Sequence, residues 1–203
     1  MKDKKIERLI RDEIKRQDET INLIPSENYV SKDVLSALGS VFTNKYAEGY
    51  SAHRYYGGNK FVDELENLTK ERALKLYRLK PNVWSVNVQS YSGSPANLAV
   101  YLALVPVGKK IMGMQLDMGG HLTHGHKVSI TGKLWKQISY GVDKKTEILD
   151  YKEIQRIAKK EKPAIIVAGY TAYSRIIDFR KFREIADSIG SIFMVDMSHF
   201  AGL

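Results

Sequence analysis

The 203-residue sequence predicts an α/β fold in which helices flank one mostly parallel or mixed sheet, and three observations carry that expectation. From Trp84 onward, short β-prone runs alternate with helical segments, the order that builds strand–helix–strand units. The apolar run Ile192-Phe193-Met194-Val195 drives straight into Asp196, as a strand does when it delivers a polar residue to the carboxyl edge of an open sheet. The length suits one sizeable core and falls short of two ordinary domains joined by a linker.

The elements follow in order. Residues 3–17 read as an amphipathic helix, "INLIP" as an extended lead-in, and 32–38 as a short helix. The stretch "TNKYAEGYSAHRYYGGNK", rich in Gly and Tyr and without periodicity, reads as a loop. Residues 60–78 place Phe61, Leu65, Leu68 and Leu76 near helical spacing, which predicts one buried face. Thereafter "WSVNVQ", "KKIMGM", "WKQISYGV", "AIIVAG" and "SIFMVD" read as strands. "SPANLAVYLALV", 151–160 and 179–188 read as the helices between them. Two regions result: residues 1–58, a helical and extended arm ending in a contact loop, and residues 59–203, an α/β domain without a crossover helix after its last strand.

Composition narrows the function. The chain is 43% hydrophobic and 27% charged, with no run near the roughly 18 apolar residues that span a membrane and no secretory leader, so a cytoplasmic location is expected. No cysteine is present, which excludes disulfides and thiolate metal sites. The net charge of +9 favours anionic partners, but the lysines are scattered and lack an arginine–aromatic stripe. That spread argues for a solvated surface rather than a nucleic-acid groove.

Four constellations bear chemistry. In "YSGSPANLAVYL", Ser94 reads as a helix N-cap with Pro95 at the first helical position, and Ser92-Gly93 permits close approach of an anion. Plain capping is the competing reading. In "LDMGGHLTHGH", His121, His124 and His126 read as metal ligands, as an imidazole lying flat on an aromatic cofactor, or as a polar surface loop. With only Asp117 nearby, metal is the weakest of these. Asp196 with His199 suits an acid that holds a proton on a pyridinium nitrogen, or one that caps the following turn. Tyr46, Tyr50, Tyr55 and Tyr56, with Glu48, His53 and Arg54, suit a subunit interface or phenol–carboxylate proton transfer.

Taken together, "LIPSENYVSKDVLSALGSVFTNKYAEGY", "RYYGG", "SGSPAN", "GGHLTHG", "AYS", "REIADSIG" and "VDMSHFAGL" resemble serine hydroxymethyltransferase, in that family's own order over residues 18–203. The resemblance implies the large domain of a fold-type I transferase that uses pyridoxal 5′-phosphate and interconverts serine and glycine with tetrahydrofolate as cosubstrate. It implies that Ser92, Gly93 and Ser94 bind the phosphate and that His121 stacks on the ring. Asp196 would pair with the ring nitrogen, while Thr171 and His199 contact the cofactor oxygen. It assigns Ser26 to the substrate carboxylate region, Glu48 to proton transfer, and Tyr46, Tyr55 and Tyr56 to the surroundings of substrate and cofactor. Leu116, Gly120 and Leu122 fall where the family meets the pterin. No metal is implied, and the tyrosine loop would reach into a neighbouring subunit of a homodimer.

Departures are few. Pro25 stands where Ala is usual, Tyr91 and Pro95 where His and Gln are common, and Thr171 where Ser is usual, keeping the hydroxyl. The family's cofactor-bearing lysine and its carboxylate-gripping arginine have no counterpart in this sequence. The expectation is therefore a partial large domain, incomplete at its carboxyl end, with little turnover alone and completed in cis or by a complementing carboxy-terminal chain. Two other readings remain: a non-catalytic module that dimerises and binds pyridoxal phosphate or RNA, and a metal hydrolase built on the histidine loop.

Overall fold

A computed structural model describes residues 1–203. Helix α1 (Lys4–Glu19) starts where the Asp3 side chain accepts hydrogen bonds from Lys5 N at 2.9 Å and Ile6 N at 3.2 Å. Its apolar stripe of Ile6, Leu9, Ile10 and Ile14 stays exposed. Ser31 caps α2 (Lys32–Leu38) in the same way. The segment expected to be loop holds a two-residue antiparallel ladder, β1 (Gly49–Tyr50) with β2 (His53–Arg54), before α3 (Lys60–Leu76).

One side chain welds this hairpin to α3. Arg54, whose side chain is 4% exposed, reaches Asp63 at 2.8 Å and Glu66 at 2.5 Å. The same guanidinium donates to the carbonyls of Ala47 at 2.8 Å and Gly49 at 2.6 Å. A planar fork of donors suits this work as a lysine would not. Glu48 lies between the two carbonyls, so its backbone is held although its side chain is exposed.

The strand expected in "WSVNVQ" does not form; residues 85–90 belong to no helix or ladder. Their polar side chains bond locally and to the arm instead: Gln89 N donates to Asn87 Oδ1, and Gln89 Nε2 donates to Gly49 O. The β-propensity of this segment does not by itself give it a place in the ladder, and the sheet forms without it.

The remaining elements form the expected α/β arrangement: α4 (Gly93–Leu104), β3 (Lys110–Met114), α5 (Ile130–Leu134), β4 (Lys136–Tyr140), α6 (Tyr151–Glu161), β5 (Ile165–Ala168), α7 (Phe179–Asp187) and β6 (Ile192–Val195). The four strands run parallel in the order β4-β3-β5-β6. Successive side chains alternate between faces, so each strand feeds two cores. Ile111, Ile165 and Val167 pack with Tyr101, Val105 and Trp135, beneath α4. Met112, Ile166 and Ala168 pack with Ile154, Phe182 and Ile185, beneath α6 and α7. Strand β6 is only half-buried, against the expectation of a buried strand, because it is the edge of this sheet.

Several polar groups in the core are paired, while the Tyr101 hydroxyl is buried without a partner. Tyr140 donates its hydroxyl to Val167 O at 2.7 Å and meets the Tyr170 hydroxyl at 2.9 Å, and Trp135 Nε1 donates to Val105 O at 3.0 Å. Phe182 lies parallel to Phe193 with centroids 6.0 Å apart, bridging α7 and β6. Of residues 1–96, only Asn59 is buried. Because Phe182 is fully enclosed, Phe182→Ala should lower the stability of the domain by about 3–5 kcal/mol, read as a shift in the urea midpoint with unchanged slope.

Candidate active site

All four parallel strands point their carboxyl ends the same way, and the loops beyond those ends meet in one pocket. Its cavity volume is about 150 Å³, and it is lined by the α4 start, the histidine loop, the turn after β5 and the turn after β6. Ser92, not Ser94, is the N-cap of α4, which makes Gly93 the first helical residue. Pro95 does not force the later start, because the first turn's N–H groups lack intrahelical partners anyway. The Ser92 side chain makes no capping bond, so its hydroxyl and the free amides of the first turn face the pocket together.

Asp196 closes the opposite wall. Its Oδ2 accepts from Asn97 Nδ2 at 2.8 Å and His124 Nε2 at 3.0 Å. Its Oδ1 accepts from Ser198 N at 3.2 Å and Ser198 Oγ at 2.6 Å. Burial raises the carboxyl pKa, but the bonds from His124, Ser198 and Asn97 outweigh it and hold the group well below the usual carboxylate range. The acid reaches this place because Gly169, at φ 136°, ends β5 with no side chain. A Cβ there would overlap the Asp196 carbonyl, whose residue donates its N–H to Ala168 O at 2.8 Å.

The histidine loop supplies a neutral ring. Thr123 N donates to His121 Nδ1 at 3.2 Å, so that nitrogen carries the lone pair and Nε2 the proton. Burial lowers the pKa of His121 and His124 lowers it further, while Asp196 opposes both. The Asn97 amide splits its two hydrogens between Asp196 and Thr123 Oγ1, the latter at 2.9 Å; that hydroxyl lies 2.7 Å from His121 Nδ1. One amide thus ties the acid to the imidazole. On the next wall, Gly119 O accepts from Thr171 N at 2.9 Å, and the Thr171 hydroxyl is buried without a partner in the protein.

The structure brings Ser92, Gly93, Ser94, His121, Thr171, Asp196 and His199 around this one space. It leaves Ser26, Tyr46, Glu48, Tyr55 and Tyr56 outside it, on exposed parts of the arm, where Tyr46 and Tyr56 meet edge to face at 5.0 Å. Leu116 and Leu122, both exposed, and buried Gly120 flank the histidine loop and also lie outside the pocket. No three His, Asp or Glu side chains converge as a metal site. Asn97, Thr123, Ser198 and the pairing role of His124 escape sequence reasoning. Asn97 had a visible signal, since it follows Gly93 by four helical positions and so shares its face.

A parallel α/β sheet whose last strand delivers an acid to face the start of a helix defines this domain as a fold-type I large domain. Residues 1–203 match the family described as serine hydroxymethyltransferase. The chain is 55% identical over 203 residues to the serine hydroxymethyltransferase of Mycoplasmopsis agalactiae, covering 100% of this chain and 47% of that relative. The protein belongs to the serine hydroxymethyltransferase family, and it spans about half the length of the curated relative it matches.

The lowered Asp196 pKa has a defined sign. Stability from this group is fully present above the unfolded carboxyl value of about 4 and is lost as pH falls below it. Asp196→Asn should therefore cost about 2 kcal/mol at pH 7, and the gap to wild type should narrow towards pH 3 in thermal melts.

Proposed function

We propose that this chain forms the cofactor-binding half of a serine hydroxymethyltransferase that uses pyridoxal 5′-phosphate and tetrahydrofolate to interconvert serine and glycine. The observation that carries the reading is the pairing, in one pocket, of a locked carboxylate with an uncapped helix start. The residues fit the cofactor. The uncapped Ser92 hydroxyl and the amides of Gly93 and Ser94 suit a phosphate, and the orphaned Thr171 hydroxyl suits a ring oxygen.

Asp196 would hold a proton on the ring nitrogen. His124 and Asn97 keep the acid ionised and aimed for that task. Neutral His121 would lie against the ring without adding a second positive charge. The bound group would supply an electron sink for the substrate's α-carbon. His199 lines the same space and would steady the ring oxygen beside Thr171.

The arm carries the rest. Tyr46, Glu48, Tyr55 and Tyr56 would serve the site of a second copy, in a homodimer that also covers the arm's apolar residues. Ile21 and Leu23 are 89% and 87% exposed, and a cluster of apolar side chains left in solvent suits an interaction face. Leu116, Gly120 and Leu122 would meet the pterin, and Ser26 the substrate carboxylate.

Two measurements test the reading. Titration with pyridoxal 5′-phosphate should give saturable binding that Asp196→Ala weakens at least about tenfold, as loss of an ionic hydrogen bond implies. Absorbance that saturates equally in the variant would remove Asp196 from the site. Mixing the chain with a polypeptide that supplies the carboxy-terminal half of a family member should restore conversion of serine to glycine. Inactivity with both partners folded would count against the catalytic assignment.

A further inference from the structure

The Asp196 carboxylate already accepts four hydrogen bonds within the chain, two on each oxygen. A carboxylate offers about four lone-pair positions, so a further N–H gains a place only where one donor yields. Three of the four are costly to move. Asn97 is 6% exposed and also tied to Thr123; His124 is 1% exposed; Ser198 N is fixed by the turn after β6. The Ser198 hydroxyl is different, because it stands on an exposed residue and swings on a single torsion. It also sits next to the helix start, since a Cβ built on Gly93 would lie 3.3 Å from Ser198 Oγ.

We infer that Ser198 is a positioning residue whose hydroxyl holds, on Asp196 Oδ1, the place that the cofactor's ring nitrogen takes, so that cofactor binding is an exchange of one donor for another. The inference rests on the proposed function, and it assigns this serine the setting of affinity. The exchange is uneven in the hydroxyl's favour for two reasons. The bond is short, at 2.6 Å, and its acceptor is charged, which roughly doubles the strength of a neutral pair. The closing is also intramolecular, only two residues away along the chain. A ring nitrogen must displace it before Asp196 can hold the ring.

The test compares wild type with Ser198→Ala and Ser198→Thr, each titrated by absorbance with pyridoxal 5′-phosphate and with its carbocyclic analogue, in which C–H replaces the ring nitrogen. Circular dichroism checks that each chain is folded. Removing the competing donor should tighten binding of pyridoxal 5′-phosphate about fivefold in Ser198→Ala, while Ser198→Thr, which keeps the hydroxyl, stays within about twofold of wild type. The gain should vanish with the analogue, which has no N–H to place on the acid. Equal or weaker binding by Ser198→Ala overturns the inference, as does a gain of the same size with the analogue, since that would report extra room rather than donor exchange. Failure of wild type and both variants to bind pyridoxal 5′-phosphate at all counts against the cofactor reading itself.

Discussion

A carboxylate withdrawn from water must be met by donors or it will not stay ionised, and the architecture of this domain converges on meeting that need at Asp196. The donors come from far apart in sequence. Asn97 on α4 is 99 residues away and His124 on its loop is 72, yet both reach the same oxygen. The acid in turn depends on the sheet, since its own N–H continues the ladder to Ala168 and its backbone passes over Gly169 where only hydrogen fits. Moving β6 by one residue would turn the carboxylate to the other face.

Rigidity spreads from there. The amide of Asn97 cannot turn without releasing Thr123, and Thr123 sets the protonation of His121 through its N–H and hydroxyl. Ring tautomer, acid orientation and the angle of α4 are thus parts of one network rather than separate features. Bonds linked in this way in a low-dielectric setting are worth more together than separately, although His124 Nδ1 is left buried without a partner. Among the groups left over around the pocket are the Ser92 hydroxyl, the first-turn amides and the buried Thr171 hydroxyl.

The two halves of the chain obey different physics. Beyond residue 96, alternating side chains fill two cores on either face of a parallel sheet. Before it, helices form from good caps and local pairs, while isoleucines and leucines remain in solvent. Arg54 is the exception, a nearly enclosed cation that fastens the tyrosine hairpin to α3 through two carboxylates and two carbonyls. An arm that is locally ordered but poor in core is suited to completing its burial against another surface.

Sequence alone determined the fold class and most of the order of the elements, because periodicity, caps and apolar runs are local properties carried by neighbouring residues. It also put Ser92, Gly93, Ser94, His121, Thr171, Asp196 and His199 forward as a set through the family they resemble. It misjudged "WSVNVQ", whose β-propensity is not matched by any strand pairing, and the start of α4, where a proline tolerated throughout the first turn marked no boundary. Only the tertiary structure decided that Asn97, His124 and Ser198 share one carboxylate, and that β6 runs at the edge. Those facts depend on strand order and register, which bring together residues separated by most of a domain, and no short-range pattern encodes such a meeting.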